Sequence, residues 1–305
     1  MRFSVIIPTY KRTALLEKAV ESVLKQTFTD YELIVVNDAP SEKNQIDKIQ
    51  HRYPQIKLYH HAEPKGGNAA RNLGIQNSTG ELIAFLDDDD VWLPHKLEDH
   101  AAAHRSNLEA GLVYSNCLYV HNNYFIQDQA TSSQVPENVI KSMGEAKFCP
   151  TTSSIVSIKR DVIKSFGVFD EGMTSFQDWD YWFRIAHNFK FVHIPKTLVH
   201  FRQHLGDRIS QNEGKRLEGI KQICTKWGKE IDVEKFTKSM KRILYYQLSI
   251  NALMSGNKWA FMRKSIHLLY IKNISPRSIS SFINLWLHLV IRNRKRRLQF
   301  KTIVG

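Results

Sequence analysis

Cysteine is scarce in this 305-residue chain, and its three cysteines, Cys117, Cys149 and Cys224, lie far apart. Their odd number and wide spacing fit neither a disulfide framework nor a cysteine-based metal site, so we expect a reducing, cytoplasmic setting. The apolar residues of a first predicted strand begin at Phe3, so we expect no signal peptide. We therefore do not expect a secreted, disulfide-stabilised protein.

Acidic residues are absent after Glu234. Residues 213–305 carry 20 Lys and Arg against 5 Asp and Glu, whereas residues 1–212 carry 23 against 25. The positive charge therefore belongs to the C-terminal part, and what it attracts need not be the substrate. We predict an α/β domain over residues 1–212 and a basic, mainly α-helical extension over residues 213–305.

Glycine-rich nucleotide signatures are also missing. Gly66 and Gly67 fit neither G-x-G-x-x-G nor G-x-x-x-x-G-K-[ST]. The motifs of the dinucleotide-binding and P-loop classes are therefore absent from this segment. The pair nevertheless opens a predicted helix that runs to Ile75. Glycines at a helix start let the backbone approach a ligand closely, and Arg71 would lie in or near the first turn of this helix.

Apolar strand patterns alternate with helix patterns along the first domain. This order predicts a Rossmann-like, mostly parallel central sheet flanked by helices. Residues 121–147 are polar and irregular, and their sequence does not decide between a mobile loop and a lid. The predicted strands are Phe3–Pro8, Tyr31–Val36, Ile56–His60, Leu82–Leu86, Leu112–Val120, Ser154–Ile158 and a pair at Phe191–Ile194 and Thr197–Phe201. The predicted helices are Ala14–Gln26, capped by Thr13, Ile46–Tyr53, Gly67–Ile75, Pro94–Arg105, Arg160–Phe166 and one starting at Gln177.

Four consecutive aspartates, Asp87–Asp90, end the buried strand that begins at Leu82. Side chains alternate along an extended chain, so Asp87 and Asp89 should point the same way. Adjacent carboxylates repel one another, and a bound Mg²⁺ or Mn²⁺ would hold them together at a strand end. The alternative is a solvated acidic turn before the helix at Pro94, but the apolar strand and the Trp-Leu-Pro exit favour the metal.

Polar side chains also follow two other predicted strands. Tyr10 lies just beyond the first strand, and Asp38 lies just beyond the second. Ligands of open α/β sheets bind beyond the carboxyl ends of the strands. We therefore expect Tyr10, Asp38 and Asp87–Asp90 to converge on one ligand site.

Six segments within residues 2–210 together resemble the family 2 glycosyltransferases of the GT-A fold. The resemblance implies an inverting transfer of a sugar from a nucleotide sugar, usually a UDP-sugar, to an acceptor hydroxyl. Two departures, Gln177 where many members have Glu and Asn37 where many have Asp, each keep the acid that follows. The six segments are Val5–Arg12, Val35–Asp38, Gly67–Asn72, Phe85–Asp90, Gln177–Asp180 and Phe201–His204.

The resemblance implies roles for individual residues. Asp89 would bind Mn²⁺ or Mg²⁺, with His204 near the diphosphate or the metal as a second ligand. The backbone after the first strand and Asp38 would hold the nucleoside, while Arg71 would lie beside the nucleotide. The full set implied for the nucleotide sugar is Pro8, Thr9, Tyr10, Arg12, Asp38, Asn68, Arg71, Asp87 and Asp88.

Asp178 is the general base that the resemblance implies, and the chemistry agrees with that role. A sugar hydroxyl is a poor nucleophile until a carboxylate within hydrogen-bond reach takes its proton. One base without an enzyme nucleophile gives direct displacement with inversion at the anomeric carbon. The alternative for Asp178 is a helix N-cap worth about 1 kcal/mol. Asp180 is the second-choice base, and its alternative role is structural.

The basic extension has two interpretations. The apolar run Phe282–Ile291 is too short to span a membrane, and it precedes the cluster Arg292–Arg297. Apolar residues beside basic ones favour a helix on the anionic inner face of the cell membrane. The alternative is a helical subdomain packed on the first domain. Nucleic-acid binding is disfavoured because no recognition fold accompanies the cluster.

Together these features predict a metal-dependent hexosyl- or N-acetylhexosaminyltransferase, cytoplasmic and peripheral on the membrane. Its partners would be a UDP-sugar donor and a lipid-linked glycan acceptor, in O-antigen, capsule or lipopolysaccharide synthesis. The alternative from another class is a non-catalytic glycan-assembly scaffold that keeps the same fold. The intact acidic motifs argue against that alternative.

Overall fold

The computed structural model describes residues 1–121, 124–129, 134–203, 212–254 and 257–272. Its strands are β1 (Phe3–Thr9), β2 (Tyr31–Asn37), β3 (Ile56–His60), β4 (Leu82–Phe85), β5 (Val91–Trp92), β6 (Ala110–His121), β7 (Tyr124–Gln129), β8 (Val156–Lys159) and β9 (Lys190–Gln203). Its α-helices are α1 (Thr13–Leu24), α2 (Lys43–Arg52), α3 (Gly67–Gln76), α4 (Lys96–Ser106), α5 (Val139–Gly144), α6 (Arg160–Phe166), α7 (Gln177–Ala186), α8 (Glu213–Trp227), α9 (Val233–Met254) and α10 (Lys258–Lys272).

The described strands form one sheet in the order β3-β2-β1-β4-β8-β6-β9-β5, with β7 paired to β6. Strands β3, β2, β1 and β4 are mutually parallel. Strand β8 is antiparallel to both β4 and β6, and β6 is parallel to β9. Every residue of β1 and β4 is buried, as expected for strands covered on both faces. The predicted α/β class with a Rossmann-like parallel region is confirmed.

Helix α3 packs closely on β1 through Gly74. A Cβ added at Gly74 would overlap Cγ2 of Ile6, which is fully buried. The absence of a side chain at this position lets the helix approach the sheet. This contact places Arg71, one turn earlier, beside the carboxyl ends of the parallel strands.

Substitution of Gly74 by Ala is expected to destabilise the protein by about 1–3 kcal/mol, because the added methyl group overpacks the contact with Ile6. Chemical denaturation followed by circular dichroism measures the change. Gly214→Ala is the matched control, since a Cβ there lies 3.5 Å from Asn212 Oδ1 in ordinary contact. An equal or greater stability of the Gly74→Ala variant would contradict the close packing.

Two regions differ from the expectations drawn from the sequence. The predicted β pair near Pro195 is the single strand β9, whose register against β6 shifts so that Ser115 pairs with Ile194 and Asn116 with Thr197. Pro195 lies at this register shift, and it lacks the N–H needed for a regular ladder hydrogen bond. The sequence pattern was interpreted as a turn for that reason. The predicted irregular region 121–147 contains β7 and α5 among its described residues. The side chain of Asn138 caps α5 by accepting a hydrogen bond from the Lys141 amide at 2.8 Å.

The chain divides into two compact units, Met1–Thr237 and Lys238–Gly305. Helix α8 belongs to the first unit, although it follows the predicted boundary at residue 212. In the second unit, the Tyr245 ring of α9 stacks on the His267 ring of α10 with centroids 4.5 Å apart. None of the described helices is both long enough and apolar enough to cross a bilayer.

Candidate active site

The four aspartates after β4 form a tight turn. The Asp90 amide donates a hydrogen bond to the Asp87 carbonyl at 3.0 Å, so these residues are not extended as the alternation argument assumed. Asp87 and Asp89 nevertheless face the same space, because the turn brings them together, and Asp90 joins them. One carboxylate oxygen from each lies within 4.8 Å of the others. Three carboxylate oxygens at this spacing fit the ligand preference of Mg²⁺ or Mn²⁺.

Hydroxyl side chains that precede β8 hold the two ends of this turn. Ser154 Oγ donates to Asp90 Oδ2 at 2.6 Å and accepts from the Asp87 amide at 3.0 Å. Ser153 Oγ and Thr152 Oγ1 donate to Asp87 at 3.2 and 3.3 Å. The sequence analysis did not single out these residues, although four consecutive hydroxyl residues, 151–154, lie at the start of a predicted strand.

Asp88 turns inward and joins the aspartate turn to the end of β1. Its Oδ2 accepts from Thr9 Oγ1 at 2.8 Å and from the Tyr10 amide at 3.3 Å. Arg12 Nη1 lies 3.0 Å from Asp88 Oδ1 and 3.2 Å from Asp89 Oδ2. Burial and the neighbouring Asp89 still raise the pKa of Asp88 to about 6, in spite of Arg12. Part of this rise reflects repulsion between the carboxylates of Asp88 and Asp89, which a bound cation would relieve.

Arg71, from helix α3, also contacts the turn. Its Nη2 donates to Asp87 Oδ1 at 2.6 Å, and its guanidinium lies 5.7 Å from the centroid of the Phe169 ring. Lys96, the nearest basic residue to the turn in sequence, is fully buried elsewhere, with its Nζ 3.2 Å from His100 Nε2 and 4.5 Å from the Trp92 ring centroid. The contacts with the aspartates thus come from residues distant in sequence.

Asp178 lies in the first turn of α7. The N-cap position belongs to Phe176, whose φ of 59° is left-handed, so the N-cap alternative for Asp178 is wrong. Its Oδ1 is buried and has no hydrogen-bond partner among the described residues. Burial raises the pKa of Asp178 to about 6, with Arg71 opposing the rise and Asp87 adding to it. Asp178 and the aspartate turn therefore share one electrostatic environment, and Asp178 suits a proton acceptor near neutral pH.

Asp180 is fully buried in a structural network. Its carboxylate lies 3.0 Å from Lys226 Nζ and 3.2 Å from Arg184 Nη2, and it accepts a hydrogen bond from Trp227 Nε1 at 2.9 Å. These contacts satisfy both oxygens and favour the structural alternative for Asp180 over the role of a second base.

Asp38, at the end of β2, orders the loop before α3. It accepts hydrogen bonds from the amides of Lys65 and Gly66, both at 2.8 Å, and lies 2.7 Å from His61 Nδ1. Gly66 has a φ of 93°, which only glycine adopts easily. Asp38 thus shapes the glycine-rich loop, and its contact with a nucleoside stays a prediction.

The remaining predicted donor residues differ in their exposure. Tyr10 is 44% exposed, whereas Thr9 is buried against Asp88, and Pro8 lies in the buried strand β1. Asn68 is also buried, and its Nδ2 donates to the carbonyl of Asp170 at 2.8 Å. Tyr10 is therefore the residue of this group most available to a ligand. The predicted metal ligand His204 lies outside the described residues.

The acidic turn lies beyond the carboxyl end of β4, where open α/β sheets bind their ligands. Comparison with family models narrows the class. The model described as Glycosyl transferase family 2 matches residues 4–164, more than half of the chain. The chain therefore belongs to glycosyl transferase family 2, an enzyme family that uses nucleotide-sugar donors, as its motifs predict.

Two relatives extend the comparison. A glycosyltransferase of Rickettsia felis is 28% identical over 230 residues, which cover 72% of this chain and 36% of that protein. The Escherichia coli protein WfgD, a UDP-Glc:alpha-D-GlcNAc-diphosphoundecaprenol beta-1,3-glucosyltransferase, is 30% identical over 142 residues. That alignment covers 46% of this chain and 56% of WfgD. The chain thus spans less than two-thirds of either relative.

A solved structure supports the fold assignment. The crystal structure of S. aureus TarS residues 1–349 in complex with UDP-GlcNAc matches with a TM-score of 0.61 and 15% sequence identity. The match covers 90% of this chain and 93% of that one. At this identity the likeness shows the fold, and it confirms the GT-A prediction.

Proposed function

We propose that this enzyme is an inverting, metal-dependent glycosyltransferase that moves a hexose or N-acetylhexosamine from a UDP-sugar to a hydroxyl of a lipid-linked glycan. Its place would be bacterial surface polysaccharide synthesis. The observation that carries this proposal is the shared electrostatic environment of the aspartate turn, Arg71 and the half-buried Asp178. In this environment the aspartate turn is suited to a cation, Arg71 to a diphosphate, and Asp178 to a hydroxyl proton.

The metal part of the proposal rests on the carboxylates of the turn. Asp89 would hold Mn²⁺ or Mg²⁺ together with Asp87 and Asp90, whose carboxylate oxygens lie within 4.8 Å of one another. A bound ion would stabilise the negative charge of the departing nucleoside diphosphate. Arg12 touches Asp89, so it would share that carboxylate with the cation or move from it.

The chain's own residues supply the remaining steps. Asp178 would accept the proton of the acceptor hydroxyl, and its buried Oδ1 keeps a free acceptor position among the described residues. Arg71 would bind the diphosphate side of the donor while it holds Asp87. Tyr10, exposed at the end of β1, would contact the nucleoside together with the loop that Asp38 orders.

The choice of UDP and of a lipid-linked acceptor rests on the relatives. WfgD is named for UDP-Glc and for a diphosphoundecaprenol acceptor, and the TarS structure contains UDP-GlcNAc. Both names fit a UDP-sugar, but they differ in the sugar. A donor screen is therefore the experiment that tests the proposal.

UDP-Glc and UDP-GlcNAc should each be tested by thermal shift with Mn²⁺ or with EDTA. We expect one of them to raise the Tm by several degrees when Mn²⁺ is present, because a ligand that binds only the folded state stabilises it, by about 2.7 kcal/mol at a hundredfold excess over Kd. GDP-mannose serves as the control donor. Stabilisation by GDP-mannose alone would contradict the assignment to UDP-sugars, and stabilisation without turnover by any acceptor would favour the scaffold alternative.

Peripheral binding to the inner face of the cell membrane is part of the proposal. In addition to the basic residues after Glu234, α10 exposes Trp259, Met262 and Ile266 by 82%, 55% and 48%. These three residues recur every three or four positions, so they lie on one side of the helix. An exposed apolar stripe within a basic segment fits an anionic lipid surface.

Sedimentation with phosphatidylglycerol vesicles tests the membrane part. We expect Trp259→Ser to weaken vesicle binding by about tenfold, since the lost burial of a large apolar side chain is worth about 1.5–3 kcal/mol. Leu108→Ser is the control, because Leu108 is 77% exposed in the other unit. Equal binding to phosphatidylglycerol and phosphatidylcholine vesicles, or an unchanged Trp259→Ser variant, would contradict membrane association through this helix.

A further inference from the structure

The segment that leads into Asp178 is held by a helix from the part of the sequence that was predicted as the basic extension. Residues 167–176 connect the end of α6 to α7, and α8 contacts this segment between residues 170 and 176. Four kinds of contact join α8 to this segment: hydrogen bonds, a close approach at a glycine, a cation–aromatic contact and an ion pair.

Gln222 makes the hydrogen bonds. Its Oε1 accepts from both the amide and the hydroxyl of Thr174, each at 3.0 Å. Its Nε2 donates to the carbonyl of Gly172 at 3.0 Å. A single amide side chain thus bridges two backbone groups of the segment, and it fixes the segment two residues before Phe176.

Gly219 and Arg216 hold the next two residues. A Cβ added at Gly219 would lie 2.9 Å from both the Cβ and the carbonyl oxygen of Ser175, so α8 approaches this backbone as closely as a glycine permits. The guanidinium of Arg216 lies 3.9 Å from the centroid of the Phe176 ring. Both contacts act on the residues that set the start of α7.

Phe176 needs such support. Its φ of 59° is a left-handed conformation that costs free energy for a residue with a Cβ. Such conformations persist where the surroundings hold them, and they occur often at functional sites. Asp178 is two residues further on, so the backbone direction at Phe176 decides where its carboxylate points.

Arg216, Gly219, Gln222 and Lys226 follow one another at intervals of three or four residues, so they share one face of α8. Lys226 extends this face to α7 by contacting the carboxylates of Asp170 at 2.8 Å and Asp180 at 3.0 Å. We propose that this face, called here the α8 clamp, positions Asp178 for proton transfer. The inference rests on the proposed role of Asp178 as the general base.

Gln222→Ala in the full chain tests the α8 clamp. The assay is UDP release from UDP-Glc or UDP-GlcNAc in the presence of Mn²⁺, with water as the acceptor. We expect kcat to fall about tenfold or more, as for a misplaced reacting group, while the KM for the donor changes less than twofold. Because the base would be displaced rather than removed, the acid limb of the pH–rate profile should also shift.

Two further variants separate positioning from general destabilisation. Lys221→Ala changes the exposed neighbour on the same helix and should leave kcat as it is. Gln222→Glu keeps an oxygen for Thr174, so it should recover part of the lost kcat. Gly219→Ala, which forces α8 away from Ser175, should reproduce the kcat loss without a change in the KM for the donor.

The outcomes distinguish this inference from the proposed function. If Gln222→Ala and Gly219→Ala keep full kcat while Asp178→Asn loses it, the α8 clamp is wrong and the base stands. If Asp178→Asn itself keeps full activity, the proposed role of Asp178 fails. A loss of donor affinity equal to the loss of kcat would show that α8 merely supports the fold, and would overturn the inference as well.

Discussion

Replacement of Asp178 by Asn is expected to lower the rate of sugar transfer by about 10²- to 10⁴-fold, the usual contribution of a general base. Asn keeps the size and the position of the side chain but accepts no proton at a useful pKa. Donor binding should be unchanged, since Asp178 lies beside the aspartate turn and not within it. Steady-state kinetics, together with the thermal shift by the donor, measure both effects.

Asp161→Asn is the control for this substitution. Asp161 lies in the first turn of α6 and pairs with Lys164, so its loss should leave transfer at the wild-type rate. Transfer by the Asp178→Asn variant within threefold of the wild-type rate would remove Asp178 from the mechanism.

The pH dependence of the wild-type enzyme provides a second measure of the same residue. Burial raises the pKa of Asp178 to about 6, so its carboxylate is protonated as the pH falls through that value. A protonated base cannot accept the hydroxyl proton, and kcat/KM should therefore fall about tenfold per pH unit below pH 6. The residual activity of Asp178→Asn should lack this limb. A profile that stays flat down to pH 5 would contradict the raised pKa.

Asp89→Asn is the second substitution with a large expected effect. The loss of one anionic ligand weakens the proposed cation site, and a bound metal contributes several kcal/mol of charge stabilisation. At 1.36 kcal/mol per factor of ten, transfer should fall by about 10²-fold or more. EDTA should lower the activity of the wild-type enzyme to a similar level, and added Mn²⁺ should restore it.

The matched control for Asp89 is Asp30→Asn, a change at an exposed carboxylate whose nearest basic partner is Arg2 at 4.0 Å. It should leave both activity and the response to EDTA unchanged. Full transfer by the wild-type enzyme in EDTA would contradict metal dependence.

Local sequence patterns predicted most of the fold because the period of apolar residues is a short-range signal. The bounds of β3 and α6 match the predicted Ile56–His60 and Arg160–Phe166. Strand β9 was missed as a single element because Pro195 interrupts it, and the local pattern does not show that β6 pairs on both sides of the interruption. Thr13, predicted as a helix cap, instead donates a hydrogen bond to Glu42 Oε2 at 2.7 Å. This is a tertiary contact, which the local sequence does not predict.

The candidate site was predicted in part. The clustering of Asp87 with Asp89 was expected, although the reason is a turn and not an extended strand. The contacts of Asp88 and Asp89 with Arg12 join residues more than 70 positions apart, and no local sequence pattern predicts them. The contacts of α8 with the segment before α7 are also long-range in sequence. In addition, the charge of the C-terminal part suggested a boundary at residue 212, which separated α8 from the first domain.

The central claim is that the aspartate turn captures a divalent cation that holds the nucleoside diphosphate. Isothermal titration of UDP into the full chain, once with Mn²⁺ and once with EDTA, tests it most directly, with Asp89→Asn titrated in parallel. We predict that EDTA weakens UDP binding to the wild-type protein by at least about tenfold, and that the variant binds UDP equally weakly in both conditions. Equal UDP affinity of the wild-type protein with Mn²⁺ and with EDTA would contradict the claim.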